Sequence, residues 1–307
     1  MVTQAHSPLR RPSVAVLGPG GIGGLFAALL ARQGHPVTCI ARPATAEHLA
    51  ERGLTLTSPL LGDAVVAVGS ATRLEQPVDV VLITVKATQL AQAVEALPSE
   101  RLGDALVVPF LNGIDHVALL RERYPAQQVV AGTIQVESTR TGPGVIEHAS
   151  PFAIVQLAAG TADRGRVDEL GACLSATGLD VTVREDEATT LWSKLIVLAP
   201  IALVTTWAAA PFGEARARHW DEIEAIVHEI ARAAAADGVE VDEAGTIVRL
   251  RGVPEGMRSS MQKDAAAGRL IELDAIGGSI LRAAARGGVP APTTARLVSD
   301  LEKLAVS

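Results

Sequence analysis

The glycine-rich turn GPGGIG near the N-terminus constrains the fold of this chain more than any other feature. It follows the apolar segment SVAVL, which is typical of a buried strand, and it opens GIGGLFAALLARQG, which has the periodicity of a helix. The pattern GxGxxG between a strand and a helix predicts the first unit of a Rossmann-like sheet, although a glycine-rich turn without a ligand is the alternative. The residues expected to hold the pyrophosphate of a dinucleotide at the helix N-terminus are Gly18, Gly20, Gly21, Ile22 and Gly23.

The segments after this unit divide the chain into two parts. Up to about Val183, short apolar runs alternate with helical stretches, and the further predicted strands are HPVTCIA, LTLTSP, AVVAV, VDVVLITV, ALVVPFL and VVAGTIQVES. After Arg184 the pattern predicts only helices: TTLWSKLIVLAPIALVTTW, DEIEAIVHEIARAAAA, SSMQKDAAAG, ELDAIGGSILRAAARGG and TTARLVSDLEKLA. We therefore predict an α/β fold, with an N-terminal Rossmann-like doubly wound sheet over residues 1–187. An all-helical C-terminal domain for substrate and catalysis is predicted over residues 188–307.

Composition narrows the partners of such a chain. Its 307 residues are 48% hydrophobic and 20% charged, which is enough apolar material for two cores. The net charge of −7 and the aromatic content of 3% disfavour nucleic acid, because phosphate is repelled and few rings are available for base stacking. The two cysteines, Cys39 and Cys173, form no CxxC pair, which favours a reducing cytoplasm.

Metal and membrane binding are not expected either. The seven histidines are scattered, with no HExxH motif and no Cys/His cluster, so no metal site is predicted. The apolar run over residues 195–210 is interrupted by Pro200 and is too short to cross a bilayer. We therefore expect a soluble protein that acts on a small molecule.

The second predicted strand bears on the choice of dinucleotide. Sites specific for NAD place an acidic residue at its end, where the carboxylate binds the ribose 2′-hydroxyl. Residues 35–46 contain no acidic residue, and Arg42 follows the strand. A guanidinium there can pair with a 2′-phosphate, so we predict NADPH as the cofactor. The alternative is that Arg42 is a solvated loop cation.

Two polar residues follow predicted strands at their carboxyl ends, where open α/β sheets bind ligands. Lys86 ends VDVVLITVK, and Asn112 follows ALVVPFL. Each also has an ordinary explanation, Lys86 as an exposed charge at a strand end and Asn112 as part of an Asn-Gly turn. The pattern alone leaves both interpretations open.

Lys194 is more informative, because no other residue between Ala188 and Gly213 is ionisable. A lysine among leucine, isoleucine and tryptophan either extends to solvent or faces a cleft with a partner. With a carboxylate nearby, it suits a proton donor to a carbonyl oxygen. Glu272 is a candidate partner, or else an acid that stabilises the first turn of a helix. From the pattern, Ser260 is interpreted as an N-cap.

Seven segments in order resemble the ketopantoate reductase family (2-dehydropantoate 2-reductases): VAVLGPGGIGG, ITVKATQL, FLNGI, GPGVIEH, LWSKL, SSMQKD and IELDAI. The resemblance covers nearly the whole chain. It implies an NADPH-dependent oxidoreductase of pantothenate biosynthesis that reduces ketopantoate to pantoate by hydride transfer, with a lysine as general acid.

The resemblance also implies residue roles. The cofactor is held by the glycine turn together with Arg42, while Lys86 and Asn112 lie near both cofactor and substrate. Lys194 is the catalytic lysine that protonates the carbonyl oxygen. Ser260 binds the substrate carboxylate, and Glu272 contacts a hydroxyl of the substrate or the cofactor ribose.

On the helix of Lys194 the chain departs from this family. The family usually has asparagines four and eight residues after the catalytic lysine, on the same helix face, where they line the substrate pocket. This chain has Leu198 and Ala202 at those positions. They make that wall of the pocket apolar, which suits a 2-oxo acid or ketone with a hydrophobic arm.

Three functions stay open at this point. The first is ketopantoate reductase itself, the second an NADPH-dependent reductase of another carbonyl or imine, and the third a non-catalytic NADPH-binding sensor. The presence of Lys194 together with Glu272, Ser260, Asn112 and Lys86 argues against a sensor, which has no use for a proton donor. The small-residue segment GGSILRAAARGG is compatible with a homodimer but does not require one.

Overall fold

The computed structural model describes residues 11–306, which divide into two compact units. Within this range, unit 1 contains residues 11–85, 89–110 and 121–183, and unit 2 contains residues 86–88, 111–120 and 184–306. Residues 1–10 and 307, which the two predicted domains include, lie outside the described residues. Unit 2 takes two short segments from the N-terminal half of the chain, and these segments carry Lys86 and Asn112.

The strands are β1 (Val14–Leu17), β2 (Val37–Ile40), β3 (Leu54–Thr57), β4 (Ala64–Val66), β5 (Gly69–Ala71), β6 (Val80–Ile83), β7 (Leu106–Pro109), β8 (Ala131–Gln135), β9 (Ser138–Gly142), β10 (Val145–His148), β11 (Ile154–Ala158) and β12 (Asp180–Arg184). The helices are α1 (Gly21–Arg32), α2 (Pro43–Arg52), α3 (Leu90–Ala93), α4 (Ser99–Leu102), α5 (His116–Arg121), α6 (Arg164–Ser175), α7 (Glu187–Trp207), α8 (Phe212–Arg218), α9 (Trp220–Ala236), α10 (Glu243–Arg251), α11 (Ser260–Ala266), α12 (Ser279–Gly287) and α13 (Pro292–Val306).

A five-stranded sheet of order β5-β2-β1-β6-β7 forms the centre of unit 1, and each neighbouring pair is parallel. Strands β1, β6 and β7 are buried along their whole length, as their unbroken apolar sequences predict for a parallel sheet covered on both faces. The predicted fold class, an α/β Rossmann-like sheet followed by a helical C-terminal part, is confirmed.

Three of the predicted strands do not belong to this sheet. Strands β3 and β4 form part of a separate four-stranded sheet of order β4-β3-β10-β9, and β8 pairs antiparallel with β11 in a three-stranded sheet. The prediction that LTLTSP, AVVAV and VVAGTIQVES extend the doubly wound sheet is therefore wrong. The connection between β3 and β4 is too short for a parallel crossover, which needs a dozen or more residues, so these strands pair antiparallel.

Helix α1 is buried in the core of unit 1. Its residues Leu25, Phe26, Leu29 and Leu30 are inaccessible to solvent, and the Phe26 ring packs against Phe110 with the ring centroids 4.6 Å apart. This packing fixes the direction of the helix and therefore the position of its N-terminus beside the glycine turn.

Helix α7 is the long apolar helix of unit 2. Asp186 caps it by accepting hydrogen bonds from the N–H groups of Ala188 and Thr189, and the helix continues through Pro200 to Trp207. The prediction that Pro200 interrupts this run and leaves it too short for a bilayer is wrong. Among the described residues, α7 is the one helix long and apolar enough to cross a membrane, but 67% of its most apolar window is buried in the structure. It is packed as the core helix of unit 2.

Helices α8, α9, α10, α11 and α13 pack against α7, and α12 packs against α9. Helices α9, α11, α12 and α13 correspond to predicted helices, and a π-helical segment, Asp274–Gly278, leads into α12. Helices α8 and α10 are not predicted by the sequence pattern, since they are short and lie in segments rich in charged residues and glycine.

Candidate active site

The turn between β1 and α1 has the shape that its glycines predict. Gly18 has a φ of +84°, and a Cβ there would lie 2.5 Å from Val85 Cγ1. A Cβ on Gly23 would lie 2.3 Å from Thr84 Oγ1, so only glycine lets the helix approach the strands. The nearest atom to a Cβ on Gly20 would be the Gly18 carbonyl oxygen, 3.9 Å away, because this backbone faces open space. The turn therefore fits the close approach of a dinucleotide pyrophosphate to the N-terminus of α1.

The β9–β10 hairpin explains two more glycines of this helix. A Cβ on Gly21 would lie 2.2 Å from the Ser138 carbonyl oxygen, and one on Gly24 would lie 2.4 Å from Ile146 Cδ1. Ser138 Oγ also donates a 2.8 Å hydrogen bond to the Gly21 carbonyl oxygen. Ile22 is half-buried against the core. Packing thus accounts for Gly21, and contacts of Gly21 and Ile22 with a cofactor stay predictions.

Arg42 is exposed beyond the end of β2 and is the N-cap residue of α2. Its carbonyl oxygen accepts hydrogen bonds of 2.9 Å from the N–H groups of Thr45 and Ala46, which fixes its backbone. Arg42 therefore lies in a hydrogen-bonded turn two residues beyond the carboxyl end of β2. This position is compatible with a phosphate ligand.

Lys194 is half-buried on α7 in unit 2. Its Nζ donates a 3.5 Å hydrogen bond to the carbonyl oxygen of Leu111. Burial lowers the pKa of Lys194 from 10.5 to about 8, because the ammonium loses hydration, and the negative charge of Glu272 opposes that decrease. The group is therefore still mostly protonated at neutral pH but releases its proton more readily than an ordinary lysine, which is the property that a general acid needs.

Glu272 is buried and anchored at both carboxylate oxygens. The Ala87 N–H donates to Oε1 and the Asn112 Nδ2 donates to Oε2, each over 2.9 Å. The carboxylate thus contacts the two segments that unit 2 takes from the N-terminal half of the chain. These hydrogen bonds favour the interpretation of Glu272 as a site residue over that of an acid serving its own helix.

Asp264, which the sequence pattern did not single out, holds Lys86. This buried carboxylate on α11 accepts a hydrogen bond from Lys86 Nζ and another, of 2.8 Å, from Arg269 Nε. The structure thus brings Lys86, Asn112, Lys194 and Glu272 to one region of unit 2. The available signal for Asp264 was its place at the end of SSMQKD.

His116 is a second residue that the sequence pattern did not single out. It is 4% exposed, and neither ring nitrogen has a hydrogen-bond partner among residues 11–306. Burial, and after it the positive charge of Lys194, lowers the pKa of His116 from 6.5 to about 3, so the ring is neutral. The seven histidines of the sequence form no motif, so the sequence did not indicate that His116 is buried and affected by the charge of a lysine.

Ser260 is exposed on the first turn of α11. The N-cap of α11 is Ser259, whose Oγ accepts a 3.0 Å hydrogen bond from the Gln262 N–H and lies 2.8 Å from Thr205 Oγ1. The interpretation of Ser260 as an N-cap is therefore wrong by one residue. A role of Ser260 in substrate binding stays a prediction.

Leu198 and Ala202 follow Lys194 by one and two turns along α7. Leu198 is half-buried, and Ala202 is 1% exposed and belongs to the core of unit 2. Neither side chain can form a hydrogen bond. These two positions therefore offer no polar contact to a molecule bound at Lys194.

Comparison with known proteins agrees with this architecture. The family described as "Ketopantoate reductase PanE/ApbA" matches residues 14–159, and "Ketopantoate reductase PanE/ApbA C terminal" matches residues 186–305. The 2-dehydropantoate 2-reductase of Halobacterium salinarum is 31% identical to this chain, over 95% of this chain and 98% of its own length.

Solved structures give the same fold. A 2-dehydropantoate 2-reductase from Methylococcus capsulatus superimposes with a TM-score of 0.86 at 26% identity, over 96% of this chain and 97% of the other. D-mandelate dehydrogenase, solved in a ternary structure with NADH and anilino(oxo)acetate, superimposes with a TM-score of 0.88 at 23% identity, over 96% and 98% of the two chains. At that identity the second likeness concerns the fold alone.

Proposed function

Since the chain belongs to the ketopantoate reductase family, whose members are oxidoreductases acting on a carbonyl, we propose that it reduces ketopantoate to pantoate with NADPH. The observation that carries this proposal is the half-buried Lys194 ammonium, whose pKa is lowered to about 8 and on which the charge of Glu272 acts. A sensor has no need of such a group. We place the reaction in the cytoplasm, with a small carbonyl compound as the partner.

The cofactor is assigned to the glycine turn and Arg42. Gly18, Gly20 and Gly23 would hold the pyrophosphate, and the exposed Arg42 would hold the 2′-phosphate that distinguishes NADPH from NADH. When bound, NADPH supplies the hydride that reduces the carbonyl carbon. Lys86 and Asn112 are assigned to the cofactor ribose, the nicotinamide and the substrate.

Lys194 and Glu272 have different roles in the protonation of the substrate. Lys194 holds a proton at Nζ and donates it to the carbonyl oxygen as negative charge develops there. Glu272 keeps Lys194 protonated at neutral pH by its charge, which opposes the effect of burial. Because the Ala87 N–H and Asn112 fix both carboxylate oxygens, this charge is oriented before the substrate binds, which is what electrostatic preorganisation requires. Ser260 is assigned to the substrate carboxylate.

A second candidate function is favoured by Leu198 and Ala202. They remove hydrogen-bonding capacity from the face of α7 that carries Lys194, which suits a 2-oxo acid or ketone with a hydrophobic arm better than the hydroxylated ketopantoate. D-mandelate dehydrogenase shares the fold and was solved with anilino(oxo)acetate, an oxo acid with an aromatic arm. An aryl 2-oxo acid therefore belongs in any test of substrate range.

The deciding experiment measures NADPH oxidation by the purified protein with ketopantoate and, in parallel, with aliphatic and aryl 2-oxo acids and ketones. We expect turnover of ketopantoate. Silence with ketopantoate together with turnover of an aryl 2-oxo acid would replace the first candidate by the second. Silence with every carbonyl compound would overturn both.

The variant Leu198→Asn/Ala202→Asn tests the role of the α7 face directly. Restoring two hydrogen-bonding groups should raise kcat/KM for ketopantoate by about tenfold and lower it for the apolar substrates. Melting temperature and NADPH affinity serve as controls, because Ala202 is buried. A folded variant with no gain on ketopantoate would contradict this account of substrate choice.

A further inference from the structure

Two polar groups of unit 2 are poorly satisfied, and the charge of one of them, Lys194, acts on the other, His116. His116 is buried with both ring nitrogens unpartnered among residues 11–306. Lys194 has three N–H donors, and within the same residues the structure gives it one long hydrogen bond, of 3.5 Å, to Leu111. Buried polar groups without partners destabilise a fold, so such a pair needs an explanation.

We propose that His116 is a positioning residue for Lys194, its neutral imidazole accepting a hydrogen bond from the Lys194 ammonium and holding that proton donor in the site. The inference deepens the proposed function, on which it rests for the role of the Lys194 proton. His116 acts through Lys194, because its own ring nitrogens are inaccessible to solvent.

The direction of this hydrogen bond follows from the charges. An ammonium group only donates, whereas a neutral imidazole has one nitrogen that donates and one that accepts. The positive charge of Lys194 disfavours a proton on His116, which keeps the accepting nitrogen bare. Burial lowers the pKa of Lys194, and the negative charge of Glu272 opposes that decrease. The neighbouring cation Lys86 is paired with Asp264.

The segment that carries His116 is fixed from several sides. Asn112 is bonded to Glu272, and Asp115 pairs with Arg282 on α12 over 2.8 Å. Between them, Gly113 adopts a φ of +84° so close to the π-helical segment that a Cβ would lie 2.1 Å from the Ala275 carbonyl oxygen. Lys194 reaches this same segment at Leu111. The Lys194 ammonium and the His116 ring are thus both held at the segment that runs from Leu111 to Leu120.

The test measures the pKa of Lys194 by NMR in protein labelled with ¹³C and ¹⁵N at lysine. The chain has four lysines, Lys86, Lys194, Lys263 and Lys303, so single Lys→Arg replacements assign every signal. The variants are His116→Phe, which keeps a ring without an acceptor, His116→Gln, which restores an acceptor, and His116→Asp, which adds a negative charge. His228→Phe, at an exposed histidine of the same unit that pairs with Glu243, is the matched control.

Loss of the acceptor destabilises the protonated lysine, so the pKa of Lys194 should fall by about 1 in His116→Phe. It should stay close to the wild-type value in His116→Gln and rise in His116→Asp, with no change in His228→Phe. A wild-type pKa in His116→Phe would overturn the inference, even if turnover falls. If His116→Phe does not fold, a pKa that fails to rise in His116→Asp overturns it. The titration needs no substrate, so its failure is distinct from a failure to reduce 2-oxo acids.

Discussion

The glycine turn of unit 1 and the lysine site of unit 2 are built by different physical means. The turn is a steric device made from consecutive residues, in which a methyl group on Gly23 would lie within 2.4 Å of two other atoms. The lysine site is an electrostatic device made from four separate segments, in which burial and neighbouring charges alter the pKa values of Lys194 and His116. The turn should therefore be most sensitive to added volume, and the lysine site to the removal of a charge.

The largest expected effect concerns the lysine site. Replacing Lys194 with alanine should lower kcat by about 10²–10⁴-fold, the usual contribution of a general acid, with NADPH affinity nearly unchanged. Because the protonated lysine is required, kcat of the wild type should fall as pH rises through about 8, and this limb should be absent from the variant. Steady-state NADPH oxidation across pH measures both, and Lys303→Ala, at an exposed lysine, is the control. Near-normal turnover in Lys194→Ala would show that the general acid lies elsewhere.

A pair of glycine variants tests whether the turn of unit 1 is purely steric. Gly20→Ala should cost less than about 1 kcal/mol of folding free energy, yet weaken dinucleotide binding by about 100-fold, because its methyl group occupies the open space that faces a ligand. Gly23→Ala should destabilise the fold itself by about 1–3 kcal/mol, because its Cβ meets Thr84 and the Gly18 carbonyl group. Thermal melting and dinucleotide titration separate the two. Equal melting temperatures for both variants would contradict the steric account.

The glycine turn is built from consecutive residues and the lysine site from separate segments, and this difference explains what the sequence could predict. The parallel strands and the glycine turn follow from local sequence patterns. Residues 13–34 alone predict strand β1, the turn and helix α1. Strands β3, β4 and β8 were assigned to the wrong sheet because strand partners depend on connections and on distant residues such as those of β10 and β11. For the lysine site, Lys194 could be selected as an isolated charge on an apolar helix. Asp264 lies in SSMQKD, one of the segments that carry the resemblance, but no residue near Asp264 or His116 in sequence indicates that either side chain is buried.

The lysine site also depends on one histidine that stays neutral in the folded protein. Burial, and after it the charge of Lys194, lowers the pKa of His116 to about 3 in the folded state, whereas an unfolded histidine has a pKa near 6.5. Between these two pH values the unfolded state therefore binds a proton at His116 that the folded state does not bind. Above pH 6.5 this group costs no stability. Between pH 7 and pH 5 it should remove about 2 kcal/mol from the free energy of unfolding. Urea titrations at the two pH values should show this loss in the wild type and in His228→Phe but not in His116→Phe.

The smallest effect on binding should come from Arg42, the one charged residue assigned to the cofactor together with the glycine turn of unit 1. Its guanidinium is exposed, so water and salt screen its attraction for a phosphate far more than they screen the charges around Lys194. Arg42→Ala should therefore weaken NADPH binding by only about tenfold and leave NADH binding unchanged, because NADH lacks the 2′-phosphate. Titrations with both dinucleotides at low and high salt measure this, and the tenfold difference should shrink at high salt. If both dinucleotides lose affinity equally, Arg42 supports the turn rather than the phosphate, and the dinucleotide region selects its ligand by shape alone.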